Sequence, residues 1–495
     1  MMDGARTGGR FVKAAPPLRL RCTLAIVFVA LFVSAFAALP AVAQTTTQTP
    51  VLQPRITNPI DNSSRATLTG SRSPVANPAD DIGAVSPSMK LQGISLVFSY
   101  SAAQQLALNT LIAAQQNPSS PLYHQWLTPG QFAAQFGVAD ADISAAESWL
   151  ERQGFSIDSV SRSRNRIFFS GTAAQVASAF EAPLHNYRMP AIGDQAATTH
   201  FAPSADLTIP SALASSVLAI GNLSDFRPHS QLKLQPAQAR PLFTIQGTQG
   251  YILTPPDVET IYDVKPAISQ GLNGSGQTIA IVGQSAVVTS DITTFQTLLG
   301  LPAKAPTTVL VPGTGTSALV EGDETEADID LEYSSSIAPG ATVNFYYTGN
   351  NLNSDVLDAV QYVVDNDLAP IISISFGSCE FASGAMNIAS FDATVLEQAA
   401  AQGETVLSAD GDTGSTGCDE ETELPAQQTA LAVSYPASSP FVTAMGGTEF
   451  PAADVTPPNT TFWASAPNGD VVSTALSYIP EQVWNDTVFL INNSF

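Results

Sequence analysis

At 495 residues the chain is too long for one ordinary domain, and at roughly 150 residues per unit it holds about three. A hydrophobic share of 44% supplies a sizeable core and excludes global disorder. Only 19 Lys and Arg face 43 Asp and Glu, a formal net charge of −24, which excludes nucleic acid as a partner because phosphate demands a basic face. Few charges (13%) with an acidic excess suit a protein that works in acid, where carboxylates are partly protonated.

Residues 1–43 read as a signal peptide. Arg6, Arg10, Lys13, Arg19 and Arg21 precede an apolar run from Cys22 to Leu39, and Ala41-Val42-Ala43 stands before Gln44. The expectation is a secreted protein, extracellular or periplasmic, that meets a membrane only transiently through this segment. An uncleaved anchor is the alternative, since the run approaches the roughly 18 residues that span a bilayer. Removing the segment leaves a still more acidic chain and takes Cys22 with it. Cys379 and Cys418 remain, and outside the cytoplasm an isolated pair is expected to be bridged. That bridge would remove unfolded-state entropy worth roughly 3–4 kcal/mol.

Residues 44–85, rich in Thr, Pro, Ser and Asn, read as a flexible leader. An α+β domain follows over 86–224. Leu91 to Phe98 alternates as a strand does, and Leu106, Leu108, Leu111 and Ile112 share one face of a helix over 101–116. Thr128-Pro129-Gly130-Gln131 opens a second helix with a capping Thr and Pro at the first helical position. A third runs from Asp140 to Gln153 and stops at Gly154. Strands are predicted over 155–160 and 166–169, and Thr172 starts one more helix. Pro228, Pro236 and Pro241 mark a linker over 225–250, where maturation is expected.

Residues 251–495 change pattern. Short continuous apolar runs at 277–283, 343–347, 371–376, 404–408 and 431–433 read as strands buried on both faces. Helical stretches at 291–299, 325–336, 352–366 and 390–402 lie between them, which predicts a parallel α/β sheet with functional loops at strand ends.

Three segments are chemically suggestive. Glu321, Asp323, Glu324, Glu326, Asp328, Asp330 and Glu332 crowd one helix, and Leu331, Tyr333 and Ile337 give that helix an apolar side. Glu326 and Asp330 are four apart and stack on one face, so the pair can share a proton below neutrality. A solvated acidic face at a helix N-terminus is the plainer reading of the same residues. The strand at 404–408 runs into Asp410-Gly411-Asp412-Thr413-Gly414, which by itself is a tight turn. The loop from Tyr435 to Thr448 says little alone. His124, His185, His200 and His229 all lie in the first half, so the second half has no imidazole base.

The stretches GQTIAIV, ETEADIDLEYSSSIAPGA, ISISFGSCE, SADGDTGSTGC, YPASSPFVTAMGGT and EQVWN together resemble the catalytic domain of the sedolisins, serine-carboxyl peptidases of subtilisin-like α/β fold. NPSSPLYHQWLTPGQFAAQFG and FFSGTAAQVASAF resemble the family's activation domain, with its ferredoxin-like α+β fold. The resemblance implies a secreted acid endopeptidase zymogen that acts on peptide or protein substrates and carries its pro-domain as an intramolecular inhibitor. It implies that Glu326 is general base to a serine, that Asp330 orients Glu326, and that Asp412 helps form the oxyanion hole. It also implies that Ser375, Phe376 and Gly377 line the substrate cleft, with a Cys379–Cys418 bridge stapling loops beside it. Glu stays a competent base in acid where His would be charged, and a protonated Asp can donate to an oxyanion.

The family nucleophile, in a Gly-Thr-Ser motif beyond the Trp-Asn element, has no counterpart after Trp484-Asn485 in the 495 residues, nor has the Asp/Gly-rich calcium loop. Gly315-Thr316-Ser317 precedes the Glu326 helix and lacks the strand–helix setting, and Ser494 has no motif around it. These residues are therefore expected to be inactive as they stand and to need no cofactor, with calcium expected in a full-length form. A non-catalytic, exported peptide-binding protein is the alternative. The zymogen reading carries one further expectation, that acid weakens the contacts between pro-domain and catalytic domain.

Overall fold

A computed structural model describes residues 52–190, 197–230, 253–380, 388–412, 414–415, 431–455, 460–464 and 474–484. The signal segment, Cys418, most of the linker and Ser494 lie outside the described residues.

In the first domain β1 (Arg65–Thr67), β2 (Asp81–Ala84) and β3 (Lys90–Phe98) lead into α1 (Ala102–Gln116), α2 (Pro129–Phe136) and α3 (Asp140–Arg152). Then come β4 (Ser156–Val160), β5 (Arg166–Thr172), α4 (Ala173–Phe180), β6 (Leu184–Met189), β7 (Thr198–Pro203), β8 (Thr208–Pro210) and β9 (Val217–Gly221). The central sheet has the order β4-β5-β3-β9, antiparallel throughout, the interleaved pattern of a ferredoxin-like fold. Ser101, Thr128 and Thr172 each cap a helix in a reciprocal box with the Gln three residues on. Gly154, at φ +91°, turns the chain out of α3. The core is built around Trp149, Phe155, Phe169 and Phe180, the last three with Ile94, Leu96 and Ile167 from the sheet.

Two readings change here. Residues 52–85 do not behave as a flexible leader: Ile56, Ile60 and Leu68 pack on the core, β1 pairs with β8, and the buried Asp142 accepts the Arg55 and Ile56 amides at 2.8–3.0 Å. Polar composition hid a segment held by backbone hydrogen bonds. Leu106 is 69% exposed, so the buried face of α1 rests on Leu108, with Leu111 and Ile112 packed beside it.

The linker contributes β10 (His229–Ser230). Beyond it lie α5 (Pro255–Ile261), α6 (Lys265–Ser269), β11 (Thr278–Gly283), α7 (Thr289–Leu298), β12 (Thr307–Leu310) and α8 (Asp323–Ile337). They are followed by β13 (Thr342–Tyr347), α9 (Val356–Asn366), β14 (Ile371–Ile374), β15 (Phe376–Cys379) and α10 (Ile388–Gln402). The last elements needed here are β16 (Thr405–Ala409), β17 (Ser434–Tyr435) and β18 (Thr443–Met445).

The main sheet is parallel and six-stranded, in the order β12-β13-β11-β14-β16-β18. Helices cover both faces, as the continuous apolar strands require. Ala280, Val282, Ile372 and Val406 meet α9 and α10, while Ile281, Val343 and Phe345 meet α7 and α8. The run at 431–433 does not form a strand of this sheet: Leu431 is 84% exposed, and the sixth strand is β18. The run at 371–376 breaks at Ser375, which turns the chain out of the sheet into β15.

Candidate active site

In a parallel sheet the carboxyl ends of the strands and the amino ends of the following helices lie on the same edge. Ser375 follows β14 directly, and Asp412 lies just past β16, the neighbouring strand. Glu326 sits in the first turn of α8, beside Asp323 and Glu324, where carboxylates complement the helix dipole.

Helical spacing divides the acidic run. Ala327 and Leu331 are buried against the sheet and anchor α8, which turns the 326/330 pair toward the strand ends. On the face toward α7, burial, then Glu324 and Asp291, push Asp328 up to about 6. Burial, then Asp328 and Asp291, push Glu332 up to about 7.

Glu326 is 6% exposed, and its Oε2 accepts a hydrogen bond from Ser230 Oγ at 2.5 Å. Asp330 Oδ1 accepts from Ser375 Oγ at 2.9 Å, and its Oδ2 is buried without a hydrogen-bond partner. Burial first, and the neighbouring Glu326 second, push Asp330 up to about 8, against the Ser375 hydrogen bond, which favours the charged form. Both causes favour the protonated form of Asp330.

The linker runs over this edge. Arg227 faces Asp323 at 3.7 Å, Pro228 O accepts from Gln284 Nε2 at 2.8 Å, and β10 pairs antiparallel with β15, His229 opposite Gly377 and Ser230 opposite Phe376. On its other side β15 pairs with β17. An extended peptide thus occupies the Ser375-Phe376-Gly377 segment, with the Phe376 side chain fully buried beneath.

Glu326, Asp330 and Ser375 come together in this way. Asp412 shares their edge of the sheet, while Thr413 and residues 416–430 beside it lie outside the described residues. Cys379 is disulfide-bonded, and its expected partner Cys418 is likewise outside. Ser317 Oγ accepts from Tyr347 Oη at 3.0 Å in a loop tied to Asn350, away from the dyad's hydroxyl partners. Among the described residues no group of three or more His, Cys, Asp or Glu is arranged to hold a metal ion. Among them, too, no helix is long and apolar enough to cross a membrane.

Sequence reasoning missed Ser230, Arg227 and Gln284, and it read Ser375 as a cleft residue without seeing its hydroxyl on Asp330. Nothing local marks these residues. They are defined by what folds against them.

Residues 79–226 match the family described as Pro-kumamolisin, activation domain, and residues 312–476 match the Subtilase family. In this order of an activation domain and a subtilase-family domain the chain resembles a sedolisin-like precursor. Kumamolisin of Bacillus sp. (strain MN-32) is 28% identical over 365 residues, 72% of this chain and 62% of that protein. Sedolisin of Pseudomonas sp. (strain 101) is 28% identical over 359 residues, 71% of this chain and 59% of that protein. Tripeptidyl-peptidase 1 of Mus musculus is 26% identical over 381 residues, 74% and 63% respectively. The chain spans about three fifths of the length of these relatives.

Proposed function

We propose that the protein is the zymogen of an exported serine-carboxyl endopeptidase in which Glu326 is the general base, Asp330 its proton-sharing partner and Asp412 an oxyanion donor. The observation that supports this most is the hydrogen bond from Ser230 Oγ to Glu326 Oε2, because a base must reach the hydroxyl it deprotonates. In the reaction, a serine hydroxyl in that position gives its proton to Glu326 as its oxygen bonds to the peptide carbonyl carbon. The carbonyl oxygen takes the negative charge and Asp412, protonated in acid, donates to it. Collapse of the intermediate breaks the C–N bond, and the proton on Glu326 passes to the leaving amine. Asp330, neutral beside Glu326, lets Glu326 hold the negative charge of the pair.

In the precursor the hydroxyl on Glu326 belongs to the linker, and β10 fills the peptide-binding edge, so substrate enters only after the linker leaves. The 495 residues, tested as such, are expected to cleave nothing, because the hydroxyl on Glu326 belongs to the linker strand that fills the peptide-binding edge. The alternative is a peptide-binding protein, favoured by the strand pairing at β15, which needs no nucleophile. The experiment is an acid peptide-cleavage assay on the 495-residue chain and on whatever longer product its gene encodes, each beside Glu326→Gln. Cleavage by the longer product, reduced about 10²–10⁴-fold by Glu326→Gln, supports the peptidase reading. Peptide binding without cleavage in either form would sink it.

A further inference from the structure

The pro-domain meets the subtilase-like domain over α9 and α10, and several carboxylates lie in that contact beside an apolar cluster. Asp355 caps α9, accepting from the Leu357 amide at 2.8 Å, while Asp358 accepts from the Asp355 amide at 3.2 Å. From the pro-domain side Asn222, which follows β9, donates its side-chain amide to both Asp358 oxygens at 3.0 and 3.3 Å. Two turns on, Asp365 is 6% exposed and accepts from Gln398 Nε2 at 3.2 Å. Glu397 on α10, 8% exposed, accepts from Gln105 Nε2 of α1 at 2.7 Å.

Cations are scarce by comparison. Among the described residues Arg166 of β5, 1% exposed, acts on Asp355, Asp358 and Asp365, and Arg227 acts on Asp355. Asp158 and Arg162 line a cavity of about 240 Å³ between the pro-domain sheet and α9, and Tyr100 lies near Glu397. Asp358 and Glu397 each take a neutral amide from the pro-domain. Such a donor serves a carboxylate, and by turning it serves a carboxylic acid equally well, whereas a cation favours only the charged form.

We propose that docking of the pro-domain takes up protons at Asp358 and Glu397, so that acid fastens the pro-domain onto α9 and α10 and its release depends on cutting the linker. This is the reverse of the expectation that acid loosens the contact. Burial, with the charge of Asp355 second, pushes Asp358 up to about 7 against the Asn222 hydrogen bond. Burial also raises Asp365 and Glu397. Once the domains part, these side chains regain water and return toward ordinary values. The docked value is the higher one, so docking is strongest below the ordinary aspartate value of 3.8, weakens as pH rises, and levels off above about 7. Each such group changes the opening constant by about tenfold per pH unit inside that window.

The test is hydrogen exchange on the full chain from pH 5 to pH 8, corrected for intrinsic rates and read at residues 92–98, 219–223 and 354–360. Asp358→Asn and Glu397→Gln are compared with it, their folding checked by circular dichroism. The wild-type interface should open about tenfold more often, or beyond, for each unit from pH 5 to pH 7. Each amide variant should open less often at pH 8 and lose about one proton from the slope. Opening that increases toward pH 5, or amide variants that open more at pH 8, would overturn the proposal. Having two variants on different helices keeps the result readable if one fails to fold, and no readout requires peptidase activity.

Discussion

Two sets of buried carboxylates divide the molecule, and their partners set them apart. Glu326 and Asp330 face each other and two hydroxyls, so the proton they hold stays within the pair. Asp358 and Glu397 face amides that belong to another domain. Their protonation is therefore tied to whether that domain is present. Both sets are raised chiefly by burial. One lies at the sheet edge, where the proposed chemistry would take place, and the other lies between two domains.

That contrast can be broken most strongly at the interface. Phe132 of α2 is fully buried in a cluster with Leu108, Phe136 and Ala401 of α10, so it belongs to both domains' packing. Phe132→Ala should cost about 3–5 kcal/mol. Urea titration should show that loss, and infrared titration should still find the Asp330 midpoint near pH 8. A dyad that shifts with the interface would mean the two sets are coupled.

Asp330→Asn tests the other side. Because Asp330 is raised to about 8, the stability it contributes is complete below 3.8 and lost as pH rises through 8. The variant should flatten that fall, about 1.4 kcal/mol per pH unit, and leave the exchange slope at α9 unchanged. Ser375→Ala removes the hydroxyl that favours charged Asp330. It should raise the Asp330 midpoint further and destabilise by about 1.5–3 kcal/mol above pH 8, with less effect at pH 5. Thr128→Ala removes the α2 cap and should cost about 1 kcal/mol at every pH, as seen in thermal melts. A pH-dependent loss there would show that α2 docking itself titrates.

The elements that the sequence revealed share a short-range cause. The capping boxes at Ser101, Thr128 and Thr172 and the stop at Gly154 use residues within three or four positions of each other. Continuous apolar strands announced the parallel sheet, and four-residue spacing put Glu326 and Asp330 on one face. Residues 52–85 and the run at 431–433 were misread because composition does not say which backbone amides find partners elsewhere. Arg55 and Ile56 find Asp142, while Leu431 stays in solvent.

By itself, then, the sequence determined the order of domains, the helices and strands with local signals, and the carboxylate pair of the candidate site. The tertiary structure decided which acids lose their water, that Ser230 rather than any motif serine touches Glu326, and that Ser375 holds Asp330. It also decided that Asn222 and Gln105 meet the acids of α9 and α10. Periodicity is a property of neighbours along the chain, but desolvation and long-range hydrogen bonds depend on surfaces that exist only once distant segments have closed over one another.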